Sequence, residues 1–214
     1  MLLKTFAVAA ALLAAVPASA AVIGDFRLDG SLVNHAGGSL TLTNNGATLG
    51  KTGLSFDRQQ GPTISGFNSP TDFSVEFRFS IEKVGGYSKL IDFLDKVTDN
   101  GLYVHDSKLY FYRNYENPVP VFSANTVYDL VFTRDKLGES RAYVNCTQIL
   151  SFKDAPESAV VNKLHLFQDD RSSSEASAGF VDYIRIYDTA LSATDVAALT
   201  PPASPTGVPE PTSW

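Results

Sequence analysis

Two stretches of this sequence carry side chains suited to holding a polar ligand. In the first, Tyr110 and Tyr112 alternate with Leu109, Phe111 and Arg113, and Asn114 and Tyr115 follow directly. A strand alternates its faces, so one set enters the core and the other leaves it. If the tyrosines face out, the negative faces of their rings attract the polarised C–H side of a sugar. They would then form a stacking platform, with Asn114 and Tyr115 beside it. Strands also favour tyrosine for its own sake, so alternation alone leaves both readings open. In the second stretch, the loop Gln168–Ser177 (QDDRSSSEAS), the acids Asp169, Asp170 and Glu175 can coordinate calcium or hydrogen-bond a glycan. Calcium prefers oxygen ligands of the kind such loops supply. A hydrophilic loop needs no such role either.

Hydrolytic chemistry asks for more than the residues offer. Gly86-Tyr87-Ser88-Lys89-Leu90 lacks the closing glycine of a nucleophile elbow. His35, His105 and His165 stand far apart, without a neighbouring histidine at metal-ligand spacing, and are expected as surface or sheet residues. There is no glycine-rich phosphate loop. Cys146 is the one cysteine, which excludes an internal disulfide and a thiolate metal cage. A free cysteine usually behaves as a small buried hydrophobe, and burial is the expectation here. Asn145-Cys146-Thr147 also fits a glycosylation sequon. The formal net charge is −6 and no basic cluster exists, so nucleic acid is excluded as a partner.

Positioning falls to strands. Phe73, Val75, Phe77, Phe79 and Ile81 share one face of a segment whose other face carries Ser74, Glu76, Arg78 and Ser80. That period of two predicts a half-buried strand. Further strands are expected over 22–28, 39–43, 54–57, 87–94, 102–105, 108–113, 127–134, 141–145, 148–152, 163–168 and 180–187. Turn residues such as Asn44-Asn45-Gly46, Gly85-Gly86 and Asp99-Asn100-Gly101 separate them. About a dozen short strands predict an all-β, two-sheet antiparallel sandwich. One short helix is expected after Ser192, with Asp195 three residues on completing a capping box and Pro201-Pro202 ending it.

The ends read differently. Residues 1–20 combine Lys4, an apolar run from Phe6 to Val16, Pro17 and the small residues Ala18-Ser19-Ala20. This is the pattern of a cleavable secretory signal peptide, with an apolar run shorter than the roughly 20 residues that span a bilayer. Residues 21–199 form the domain. Residues 200–214, rich in Pro, Ser, Thr, Ala and Gly, are expected to be a disordered tail.

The segments DFSVEFRF (72–79), VYDLVFT (127–133), RAYVN (141–145) and above all GFVDYIRIYDTALSATDV (179–196) resemble the concanavalin A-like lectin/glucanase jelly roll in its laminin G-like bacterial branch. In that branch the RAYVN-type strand is usually followed by glycine, where this chain has Cys146. Laminarinase-type relatives carry E-x-D-x-x-E on one strand, and the nearest stretch here is LIDFLD (90–95). Leu90 stands in the nucleophile's place and Asp95 in the acid's. A retaining mechanism needs two carboxylates flanking the bond, so the resemblance implies no catalytic residues. Asp92 and Asp95 are expected as strand-end carboxylates facing water or a turn. The resemblance also implies a structural Ca²⁺ joining the first strand to the penultimate one, with Asp25 and Asp182 as its ligands. Otherwise Asp182 caps a strand pair or meets Arg185.

The tail VPEPTSW (208–214) resembles the head of a PEP-CTERM sorting signal, which implies an exosortase-type partner in an exopolysaccharide-producing Gram-negative bacterium. The apolar span and basic end of that signal do not follow, so either the sequence is truncated or the anchoring step has been lost, and no stable span is expected in the mature chain. Together these resemblances imply a secreted, non-catalytic, lectin-like module that binds polysaccharide at the cell surface or in the matrix. A structural or adhesive protein acting through protein contacts is the alternative, and a glycoside hydrolase comes third.

Overall fold

The computed structural model describes residues 20–68, 71–112, 115–154, 162–170 and 174–201. The signal-like segment before Ala20, the Pro-Glu-Pro tail, Arg113 and Asn114 lie outside them.

Among the described residues, fifteen strands form two antiparallel sheets. The first contains β1 (Val22–Phe26), β3 (Thr48–Leu49), β4 (Leu54–Phe56), β6 (Phe73–Ile81), β11 (Tyr128–Arg134), β12 (Glu139–Val144), β13 (Thr147–Lys153) and β15 (Gly179–Tyr187). Its order is β13-β12-β11-β6-β15-β4-β3, with β1 also paired to β15. The second contains β2 (Thr41–Thr43), β5 (Thr63–Ser65), β7 (Tyr87–Asp92), β8 (Gly101–His105), β9 (Lys108–Phe111), β10 (Tyr115–Glu116) and β14 (Lys163–Leu166), in the order β10-β9-β8-β7-β14-β5-β2. The expected two-sheet jelly-roll sandwich is present. The short strands β3, β5 and β10 went unread because two or three residues carry no alternation. They exist through their pairing partners.

Phenylalanines fill the space between the sheets. Phe73, Val75, Phe77 and Phe79 of β6 are at most 1% exposed. Phe73 meets Phe93 and Phe132, Phe77 and Phe79 meet Phe167, and Phe111 joins the run through Phe93 and Phe132. The other face of β6 is not as exposed as a half-buried strand requires, since Ser74 and Glu76 are buried too. The chain after β15 crosses that face. Ser74 Oγ donates to Thr189 O, Leu191 N donates to Ser74 Oγ, and Leu191 and Val196 pack on Val131, Tyr143 and Tyr187. Glu76 accepts from the Tyr183 and Tyr187 hydroxyls (2.9 and 2.6 Å), so its buried charge is hydrogen-bonded. The helix α1 (Ala193–Ala197) starts at Ser192 with a full capping box to Asp195.

Cys146 is exposed, not buried. It shares the β12–β13 turn with Asn145, both at positive φ (49° and 63°), as a two-residue type I′ hairpin demands. That conformation holds the thiol at the solvent tip and accounts for the glycine usual at this place.

Candidate binding site

The outer face of the second sheet gathers the side chains with binding chemistry. Leu102, Val104, Leu109 and Phe111 enter the core, so Tyr103, His105, Tyr110 and Tyr112 leave it. The register sets Tyr103 opposite Tyr110, Lys89 opposite Tyr103 and Tyr87 opposite His105. Tyr87 stacks on His105 (centroids 4.0 Å, 7° between planes) and meets Tyr103 and Tyr110 edge-on at 5.9 and 5.7 Å. The result is an aromatic floor of three adjacent strands.

Two loops wall that floor. Asp92 Oδ1 accepts from Leu94 N and Lys96 N (3.1 and 2.8 Å), turning the chain after β7. Tyr103 donates its hydroxyl proton to Asp99 O of the same loop (2.9 Å). From the other side, Glu175 N donates to Asp169 Oδ2 and Lys89 N donates to Glu175 O, which fastens the loop after β14 to β7. Lys89 lies beneath both walls, without side-chain exposure. Its Nζ is 3.1 Å from Asp92 and 3.8 Å from Asp169, and 5.1 Å from the centre of the Tyr103 ring. Asp92 thus serves a turn, as expected, but is sealed from water. Burial, with Glu175 and Asp99 nearby, pushes the Tyr103 phenol well up. Burial, then Asp169 and Asp99, also hold the Glu175 carboxyl above its ordinary value.

Between the walls opens a cleft of about 190 Å³ lined by Tyr87, Asp99, Tyr103, Tyr110, Tyr112 and Glu175. A larger cleft of about 360 Å³, among Ser55, Asp57, Ser80, Glu82 and Phe180 on the first sheet, includes none of the residues expected from the sequence.

Tyr110 and Tyr112 line this cleft, and Asp169, fully buried, lies behind its wall beside Asp99 and Glu175. Asp170, half-buried, supplies a backbone carbonyl to Gln59 Nε2 and does not line the cleft. Tyr115 is not part of the platform. It pairs with Phe111, whose side chain is in the core, so Tyr115 faces the same way. There it stacks on Phe152 at 4.4 Å and donates to Lys153 O, bridging the sheet edges. Tyr87, Tyr103 and Asp99 were missed. The only signal for them was Lys89, a charge set in an apolar strand.

Asp25 and Asp182 are not brought together. Opposite Asp25 stands Arg185, not Asp182, and three residues of strand separate the two by about 10 Å. Asp25 faces the guanidinium groups of Arg27 (3.0 Å) and Arg185 (3.5 Å). A cation bound at 2.3–2.6 Å does not fit between these aspartates. The carboxylates that do converge are Asp99, Asp169 and Glu175, with oxygens within 4.8 Å of one another.

A hydroxyl–imidazole–carboxylate row lies further along the same face. Thr63 Oγ1 is 2.9 Å from His165 Nδ1, and His165 Nε2 is 2.7 Å from Asp95. Asn45 and Gln168 both donate to Thr63 Oγ1 (2.8 and 3.0 Å). The hydroxyl proton therefore goes to Nδ1, and Nε2–H to Asp95. With its lone pairs engaged, Thr63 acts as a brace between loops, not as a nucleophile. His165, a sheet residue of β14 as expected, is thus a buried link in this network.

Comparison with known proteins agrees with this architecture. The profile of the concanavalin A-like lectin/glucanases superfamily matches residues 57–197. The chain belongs to that superfamily. No curated protein matches the sequence. Among solved structures, domain 4 of AbnA, an extracellular GH43 arabinanase from Geobacillus stearothermophilus in complex with arabinotriose, is similar. Its TM-score is 0.61 at 18% identity, covering 84% of this chain and 98% of that one. The botulinum neurotoxin serotype D ligand-binding domain in complex with N-acetylneuraminic acid has a TM-score of 0.63 at 14% identity, covering 83% and 50%. Trypanosoma rangeli sialidase has 0.64 at 15%, covering 82% and 32%, so this chain spans a third of that enzyme. At such identities the likeness concerns the superfamily fold. Among the described residues no helix is long and apolar enough to cross a membrane, which says nothing of strands.

Proposed function

We propose that the chain is a secreted, non-catalytic carbohydrate-binding module that holds extracellular or cell-surface polysaccharide on the outer face of its second sheet. One observation carries this reading: four tyrosines and two carboxylates line a single cleft on that face. Rings supply stacking surfaces and carboxylates accept from sugar hydroxyls, the mix of apolar walls and few polar groups that small-ligand sites show. Fold relatives bound to arabinotriose and N-acetylneuraminic acid support it by analogy of fold. The non-catalytic part is supported by Asp92 being sealed under Lys89 and by the engaged hydroxyl of Thr63. Secretion rests on the signal-like N-terminus.

A glycan array, run with and without Ca²⁺, tests the reading. Wild-type protein should bind at least one polysaccharide fragment, and Tyr112→Ala should lose at least tenfold in affinity while melting like wild type. Silence across the array, or undiminished binding by Tyr112→Ala, would overturn it.

A further inference from the structure

Resting on that reading, we propose that the cleft selects a sugar bearing a protonated amine, so that its ligand is an amino-sugar polymer and not a neutral or acidic one. The cleft combines two features that attract the same group. Its floor is built from Tyr87, Tyr110 and Tyr112 around the buried Tyr103, and aromatic faces attract cations through their quadrupole. Its wall carries Asp99 and Glu175, with Asp169 behind them, the oxygens of all three within 4.8 Å.

Two described cations lie nearest the wall. Lys89 lies sealed beneath, between Asp92 and Asp169. Lys83, which follows β6, turns its Nζ to the backbone carbonyls of Tyr87 and Ser174 (2.9 and 3.0 Å). Among the described residues no cation pairs with Asp99 or Glu175. The like charges of Asp169 and Asp99 add to burial in holding Glu175 above its ordinary carboxylate range, and an incoming ammonium reverses that.

A hydroxyl at the same place donates a hydrogen bond to the wall but brings no charge to it, and a sugar acid is repelled. The volume, about 190 Å³, falls below the roughly 300–1,000 Å³ of pockets for drug-sized ligands. It suits one ring of a polymer whose neighbours lie across the open sheet.

Three tetrasaccharides with one β-1,4 backbone separate the chemistry: glucosamine, N-acetylglucosamine and glucose oligomers. Titration at pH 6, where an amine is charged, should show the glucosamine form binding at least tenfold more tightly than the other two, with or without EDTA. Glu175→Gln and Asp99→Asn should each cut that preference to threefold or less. Glu82→Gln, a carboxylate removed from the other sheet, should leave it intact and so exclude non-specific attraction to the acidic protein. Both cleft variants relieve charge crowding and should fold, which matching melting curves check. Equal binding of the three sugars, a preference that survives Glu175→Gln, or one that vanishes with EDTA would overturn the amino-sugar proposal. In those cases binding to neutral glycans on the array keeps the broader reading. Failure of the wild type on every glycan would overturn both.

Discussion

Replacing Lys89 by methionine keeps the aliphatic stem and removes a buried cation beneath the cleft. The change takes the Lys89 ammonium from between Asp92 and Asp169, both without exposure. Removing one partner of a buried ion pair costs about 3–5 kcal/mol, because the remaining charge stays desolvated. For a domain of this size each kcal/mol lowers the melting temperature by about 2–4 °C, so the variant should melt about 6–20 °C below wild type. The damage should also be local, because Asp92 organises the turn after β7 and Asp169 holds the loop carrying Glu175. Calorimetry measures the first effect. Amide exchange in residues 93–100 and 167–178 measures the second. The double replacement Lys89→Met with Asp92→Asn should recover part of the loss, as one of the two buried carboxylate charges goes with it. A Lys89→Met melt within about 2 °C of wild type, less than one kcal/mol on this scale, would refute the reasoning. It would mean that the pair is hydrated or that the loops do not depend on it.

Two further predictions concern the same scaffold. Burial holds the His165 imidazole below its ordinary value, partly offset by the bond to Asp95. The unfolded chain therefore takes up a proton near pH 6.5 while the folded one does not. Stability is complete above that pH and falls as the pH drops towards the folded value. Glu175, held above its ordinary value, titrates in the opposite sense, so the test is a difference: between pH 7 and pH 5 wild type should lose more stability than His165→Gln. Parallel curves would contradict it. Cys146 should react fully with a thiol reagent in the native protein, and its replacement by glycine should stabilise the fold by about 1 kcal/mol because the position is left-handed and glycine carries no Cβ. Protection without denaturant would show the turn to be wrong.

Much of this architecture was readable from period alone. The alternation in β6 announces a core strand, and the same logic isolates Tyr110 and Tyr112 as a pair. What alternation could not decide was their direction, since Leu109 and Phe111 on one side and two tyrosines on the other are all compatible with a core. The pairing of β9 with β8 decides it, by placing Tyr103 against Tyr110 and Val104 against Leu109. Tyr87, Asp99 and Glu175 join the cleft through register and loop closure across 88 residues of chain from Tyr87 to Glu175, which no local pattern encodes. Tyr115 went astray because it begins a separate strand, β10, whose pairing with β9 sets it opposite the core residue Phe111. Asp25 and Asp182 illustrate the limit of resemblance. Both sit on the expected strands, yet the register brings Arg185, not Asp182, to Asp25. Burial of Cys146 was a fair inference from residue type and failed because hairpin geometry outranks hydrophobicity at a two-residue turn.

The central claim is that glycan is held on the outer face of the second sheet, and backbone NMR during titration tests it most directly. With the tightest-binding tetrasaccharide, the largest shifts should fall in Tyr87–Lys89, Leu102–His105, Lys108–Tyr112 and the loop around Glu175. Shifts concentrated on the first sheet, around Ser55, Ser80 and Phe180, would place the sugar in the other cleft and contradict the account.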